Sequence, residues 1–216
     1  MQRKSVDVIN ELLREMFCVV RSYHPDVHRT GRNIDELIGG TSFFLGGTGI
    51  WRGEGYRGSL PEFFPEHPIM FVAHNFDSVA AHDRAKANGG EYDLSPFWRV
   101  FREYLECAAI RRDDCFFTNA LMGLQPGSSV GPMPTVPSYE DECRRFLRRQ
   151  IEVVEPRGVV ALGRNASHRV RVAAPSVPWI DLTHPSAWEF RARQTRDARI
   201  RVQAGKLAGF VGSLRR

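Results

Sequence analysis

The sequence predicts an α/β protein, a three-layer α/β/α sandwich around a central, mainly parallel four-stranded sheet. Three observations carry that prediction. Four short apolar runs punctuate the chain, helical periodicity fills the stretches between them, and polar residues with chemical potential gather just after each run. The runs are Ile69-Met70-Phe71-Val72-Ala73, Cys115-Phe116-Phe117-Thr118, Gly158-Val159-Val160-Ala161-Leu162 and Val177-Pro178-Trp179-Ile180. Near-continuous apolar runs suit strands buried on both faces, as in a parallel sheet with helices above and below it.

An opening helix over about residues 6–23 follows from the spacing of Val8, Leu12, Met16, Val19 and Val20. A glycine-rich insertion comes next, about residues 39–58, containing Gly-Gly-Thr-Ser-Phe-Phe-Leu-Gly-Gly-Thr-Gly-Ile-Trp. It lacks the lysine and Ser/Thr ending of a P-loop and the strand-to-helix context of a dinucleotide fingerprint. It therefore reads as a structured surface loop. Helices are expected over about 96–109, 138–154 and 165–172, and a last one over about 188–211, with Ser186 as its cap. No repeat or low-complexity segment interrupts this order, and 216 residues suit one well-buried core, so a single domain over 1–216 is expected.

Charged residues at 25% and apolar residues at 42% are globular proportions, which excludes a disordered chain. The apolar stretches are too short for a membrane span, and the first residues pattern as an amphipathic helix rather than a leader. A cytoplasmic, monomeric protein is the expectation. A net charge of +5 favours an anionic partner. Arginines crowd the last third, at Arg144, Arg145, Arg148 and Arg149 and again at Arg191, Arg193, Arg196, Arg199 and Arg201. Such a run suits a solvated helix face or a footprint for backbone phosphates. Cys18, Cys107, Cys115 and Cys143 form no C-x-x-C pair, so reduced thiols and no zinc finger are expected.

In open α/β sheets ligands bind beyond the carboxyl ends of the strands. After the first run stand His74, Asn75, Phe76 and Asp77, after the second Asn119, after the third Gly163, Arg164 and Asn165, and after the fourth His184, Pro185 and Ser186. An amide sets a donor beside an acceptor, the pairing needed to read a base edge. A histidine can donate to an oxygen on which charge accumulates, and an asparagine or aspartate can hold a water for attack.

In order and spacing these residues resemble the uracil-DNA glycosylase superfamily over about residues 67–190. His184-Pro185-Ser186 is similar to the family's last motif, H-P-S, and Thr118-Asn119-Ala120 to its base-reading T-N-x or L-N-A segment. Ser95-Pro96-Phe97 is similar to the segment whose phenylalanine stacks on the base. Ala73-His74-Asn75-Phe76-Asp77 stands where the family has G-Q-D-P-Y, G-E-A-P-G or G-I-N-P-G, with Asn75 at the third position as in the mismatch-specific branches. The nearest branch is the iron-sulfur one, family 4, through the stretch from Cys143 past Gln150-Ile151 to Gly163 and Ala166. Cys143 would match a cluster ligand, whereas Gly123 stands where a second cysteine is expected and the amino-terminal C-x-x-C is absent. Four thiolates are the usual requirement, so no cofactor and no metal are expected.

The resemblance implies a DNA glycosylase that flips a deaminated base, uracil or a related one, and excises it by hydrolysis of the N-glycosidic bond. Asn75, Asp77 and His184 would be catalytic. His74, Phe76, Phe97, Asn119 and Ser186 would bind the base, and Arg164, Arg191 and Arg193 the DNA. Phe76 and Asp77 replace the first motif's proline and its following glycine or tyrosine, which makes His74 and Asp77 candidates for acid–base groups of their own. Two other readings stay open: a nucleic-acid-binding member of the fold without catalysis, and a hydrolase of free nucleosides or nucleotides with the glycine-rich insertion as a lid.

Overall fold

A computed structural model of the chain describes residues 4–29, 36–39, 41–43, 47–51, 63–92, 94–128, 133–174, 176–187, 190 and 193–214. Helix α1 spans Ser5–Val19 and strand β1 Ile69–Asn75, followed by α2 (Val79–Asn88) and α3 (Pro96–Cys107). Then come β2 (Cys115–Leu121), α4 (Pro137–Val154), β3 (Gly158–Leu162), α5 (Arg164–Ala173), β4 (Trp179–Leu182) and α6 (Arg193–Ser213). The four strands form one parallel sheet in the order β2-β1-β3-β4. Alternate strand residues face opposite layers. Met70, Val72, Phe116, Ala120, Val159 and Ala161 pack in one cluster with α1, α4 and α5. Phe71, Phe117, Val160, Leu162 and Leu182 pack in the other with α3 and α6. This is the α/β/α sandwich read from the sequence. No helix among the described residues is long and apolar enough to cross a membrane.

The differences from the sequence reading have local causes. Helix α1 stops at Val19 because the next donors turn elsewhere: the N–H groups of Arg21 and Ser22 donate to the Glu142 carboxylate on α4 at 2.7 and 2.6 Å. Strand β2 runs on to Leu121, so Asn119 lies within the strand and opposite Ala73 rather than after it. His74 and Asn75 likewise belong to β1. Strand β4 begins at Trp179, one residue after Pro178, which has no N–H to give to a ladder. Helix α2 was not expected; Ser78 caps it by accepting from Ala81 N–H, and Gly89 closes it in a left-handed conformation.

The largest difference is the glycine-rich insertion. Its described residues are not a surface loop: Thr41, Phe43, Thr48, Ile50 and Trp51 are all buried. Phe43 runs beside the open edge of β2 in a parallel bridge to Thr118, donating its N–H to Phe117 at 2.7 Å, and Phe117 N–H donates in turn to the Gly49 carbonyl at 2.9 Å. An exposed strand edge is thereby paired. Gly49 has a φ of +79°, and a Cβ there would sit 2.0 Å from the Phe116 ring, so only glycine fits. Phe43→Ala empties space between Phe116 and Phe146, whose rings lie 6.1 Å from its own. It should destabilise the fold by about 3–5 kcal/mol, read from the midpoint of denaturant unfolding; a surface loop would give almost no change.

Candidate active site

A cavity of about 560 Å³ opens at the carboxyl ends of the strands. It gathers Ala73, His74, Asn75, Phe76 and Asp77 from β1 and its turn, Phe97 from α3, and Thr118 and Asn119 from β2. Gly163, Arg164 and Asn165 line it after β3, and His184 and Ser186 after β4. Of the residues singled out from sequence, Arg191 lies outside the described residues, and Arg193 opens α6.

His184 is held from several sides. The Ser186 N–H donates to its Nδ1 at 3.2 Å, and the Ala187 N–H to its carbonyl at 2.8 Å. Ser186 therefore orients the histidine instead of capping a helix, and α6 starts only at Arg193. The Tyr104 hydroxyl donates to the Thr183 carbonyl and the Thr183 N–H to the Gln203 side chain, anchoring the preceding residue between α3 and α6. Gly163, with a φ of +86°, leaves room: a Cβ there would come within 2.9 Å of the His184 Cβ. With Nδ1 accepting, the neutral ring carries its proton on Nε2. Burial holds the imidazole well below its ordinary value, at about 4. At neutral pH His184 is thus an uncharged Nε2–H donor.

The Phe97 ring lies 5.3 Å from that of His184. Stacking on Phe101 at 5.7 Å and an edge contact with Trp98 at 4.8 Å fix it in place. Ser95 begins α3 by accepting from the Trp98 N–H, with Pro96 in the first turn. Asn119 is buried, and its Nδ2 donates to the Phe43 carbonyl at 3.3 Å. Its neighbour Thr118 donates to Gln150 on α4 at 2.6 Å. The Asn75 Nδ2 donates to the Phe76 carbonyl at 3.1 Å, which fixes the amide plane. His74 is also lowered to about 4, first by burial and then by Arg169 and His184, so both histidines of the cavity are neutral at pH 7. Asp77 stands at the exposed rim; partial burial raises its carboxyl above the usual range, with Arg84 and Ser78 opposing the shift. Phe76, in the place of the motif's proline, is buried and lines the cavity from the core cluster.

The sequence model of the Uracil DNA glycosylase superfamily matches residues 67–203, well over half the chain. The chain belongs to that superfamily. No curated protein matches it. The match takes in every strand of the sheet and all the described wall of the cavity except Ser42.

A glycosylase of the iron-sulfur branch would need space for a cluster beside Cys143, and this chain has filled it. A Cβ at Gly123, where a second cysteine ligand would stand, would lie 2.2 Å from the Val27 Cγ1 and 3.0 Å from the Tyr139 hydroxyl. Tyr23 packs on Tyr139 with ring centroids 5.1 Å apart. Cys143 is buried among them, its thiol pushed up to about 12 chiefly by burial, the opposite of what a thiolate ligand needs. The residues present do not fit an iron-sulfur cluster. Among the described residues no group of His, Cys, Asp and Glu is arranged to hold a metal ion.

Among the lining residues that escaped the sequence reading are Ser42, Arg84, Glu91 and Gln125. Glu91, Gln125 and Ser42 are buried. None stands directly after an apolar run, so position along the chain gave no signal. The arginines of α4 are largely occupied elsewhere, Arg144 with Asp141, Arg149 with Glu15 and Glu152, and Arg148 with the Val172 carbonyl.

Proposed function

We propose that this member of the superfamily is a DNA glycosylase that draws a deaminated base out of the helix and hydrolyses its N-glycosidic bond. The observation that carries the reading is His184, a neutral Nε2–H donor held at the cavity wall beside the half-buried ring of Phe97. As the bond to the sugar breaks, negative charge moves onto the base. A preoriented neutral donor stabilises that charge without first having to take up a proton. Phe97 offers an aromatic face for the extruded base, and Asn119 an amide for its polar edge. Asn75 spends an N–H on Phe76, which leaves its carbonyl oxygen as an acceptor for a water directed at the sugar carbon. Asp77, at the rim, is the alternative holder of that water. Ser186 serves His184 through its backbone.

The DNA contacts fall to basic residues, Arg164 first. Arg164 is exposed at the amino end of α5 and lines the cavity, and Arg191 and Arg193 are the further candidates. Arg164→Ala should weaken binding to all sequences alike and reduce the slope of log affinity against log salt by about 1, measured by titration at several salt concentrations. An unchanged slope would remove Arg164 from the interface.

The direct test of function is incubation with oligonucleotides carrying uracil, hypoxanthine or xanthine, in single and double strands, followed by alkaline cleavage at abasic sites. Strand scission that disappears in Asn75→Ala and His184→Ala supports excision. Binding without scission for every base favours the non-catalytic reading, which the replacement of the motif's proline by Phe76 motivates.

A further inference from the structure

We infer that the glycine-rich insertion sets the base selectivity of the cavity. Ser42 and Phe43 are positioning residues that hold the Asn119 amide with its oxygen toward the ligand. The site then takes a base whose pairing edge carries an N–H on its ring nitrogen and turns away one with a lone pair there. The inference rests on the glycosylase reading and names what separates a deaminated base from its amino parent in this cavity.

Asn119 lines the cavity yet is only 2% exposed, so what its amide presents is decided by the protein around it. Its Nδ2 donates to the Phe43 carbonyl at 3.3 Å. A carbonyl oxygen can only accept, so the NH₂ end of the amide is held on the side of the insertion. The amide oxygen has no hydrogen-bond partner among the described residues, and it is not one of their sealed, unpartnered polar atoms. It is therefore accessible, and the space beside Asn119 is the cavity. Phe43 is fixed in its turn. Its N–H donates to the Phe117 carbonyl at 2.7 Å, and its carbonyl accepts from the Thr118 hydroxyl at 3.3 Å as well. The preceding residue, Ser42, is latched to the buried carboxylate of Glu91, between α2 and α3, through its N–H at 2.7 Å and its hydroxyl at 2.6 Å. Strand β2 and the α2–α3 connection thus hold one carbonyl between them, and that carbonyl holds the amide.

Bases differ in how they meet a fixed amide oxygen. Uracil and hypoxanthine carry an N–H on the ring nitrogen of the pairing edge, and donate to it. Cytosine and adenine, their amino parents, carry a lone pair on the same nitrogen and set it against the oxygen's own. Turning the amide over would reverse this preference, but it would point the oxygen at the Phe43 carbonyl and forfeit the bond from Nδ2. A site built around a buried hydrogen-bonding group rejects a mismatched partner strongly because the group is left unpaired. How strongly it does so here depends on how firmly the insertion holds Phe43.

Single-turnover excision of uracil against cytosine, and of hypoxanthine against adenine, at one position of the same oligonucleotide tests this. The wild type should favour the deaminated member of any pair it acts on. Glu91→Ala, which removes the latch, should shrink that ratio about tenfold, and Ser42→Ala, which removes one of its two bonds, should shrink it less. Glu91→Gln keeps an oxygen for Ser42 and should retain most of the ratio. General damage to the fold slows both members of a pair alike, so the ratio isolates the positioning role. Thermal unfolding verifies that the variants fold, and Ser42→Ala carries the comparison if Glu91→Ala does not. Equal wild-type rates within a pair, or a ratio unchanged in the folded latch variants, would overturn the inference while leaving the glycosylase reading intact. If the wild type excises nothing, that reading fails separately. The comparison then moves to equilibrium binding of the same oligonucleotides: a preference for the deaminated member that narrows in the latch variants supports the inference, and equal binding or an unchanged preference refutes it.

Discussion

His184→Ala is expected to slow base excision by roughly two to three orders of magnitude, the usual cost of removing a preoriented donor to a developing oxyanion. Single-turnover kinetics isolate the chemical step, and the affinity for substrate DNA should change little, because the donor acts most strongly on charge that appears only in the transition state. The pH profile separates this role from that of a protonated acid. An imidazolium donor would lose activity as pH rises through the ordinary histidine value of 6.5; His184, held at about 4, should show no inflection there and should lose its neutral form only as pH falls toward about 4. The same shift has a consequence for stability. Between about 4 and 6.5 the unfolded chain binds protons at His74 and His184 that the folded chain does not. Their neutral burial is therefore without penalty above 6.5, and stability falls as pH is lowered through that window. Denaturant midpoints for the wild type and His184→Gln should diverge across it, the variant losing less.

The second large effect is expected at the carboxyl end of β1. Asn75→Ala should lower the excision rate by about two orders of magnitude or more, the range for loss of a group that handles the attacking water. Asp77→Asn should cost much less, because Asp77 stands at the exposed rim and its carboxyl is already drawn toward its neutral form by partial burial. The reverse order, an inert Asp77→Asn against a nearly normal Asn75→Ala exchanged in rank, would move the water to Asp77 and make the Phe76-Asp77 departure from the family motif a relocation of the catalytic group.

Three strands were legible because β1, β2 and β3 are largely buried on both faces and so open on short apolar runs; β4, at the sheet edge with Asp181 exposed, showed only its Trp179-Ile180 pair. His184, Phe97 and Asn119 were legible for a related reason: each has a fixed address at a strand end or helix start, and the cavity forms where those addresses converge. Helix α2 was not, since it buries only His82 and Ala85 and leaves almost no apolar stripe to read. The burial of the glycine-rich insertion's described residues comes from pairing with β2, a partner far along the chain, and Gly49, which looks like a loop former, lets the backbone pass close to Phe116. Glu91 illustrates the limit most clearly. A glutamate in a polar stretch gives no sign of burial; its environment is made by Ser42, 49 residues upstream. Likewise, the sequence shows which cluster cysteines are missing, whereas the packing of Val27, Tyr23 and Tyr139 around Gly123 is made by residues far apart in the chain.

The claim at the centre of this account is that the cavity breaks an N-glycosidic bond. Mass spectrometry of a hypoxanthine- or uracil-containing strand incubated with excess protein measures that directly. The account predicts free base and an otherwise intact abasic strand, with both products lost in His184→Ala. Every strand recovered with its base attached, despite saturating binding, would contradict it.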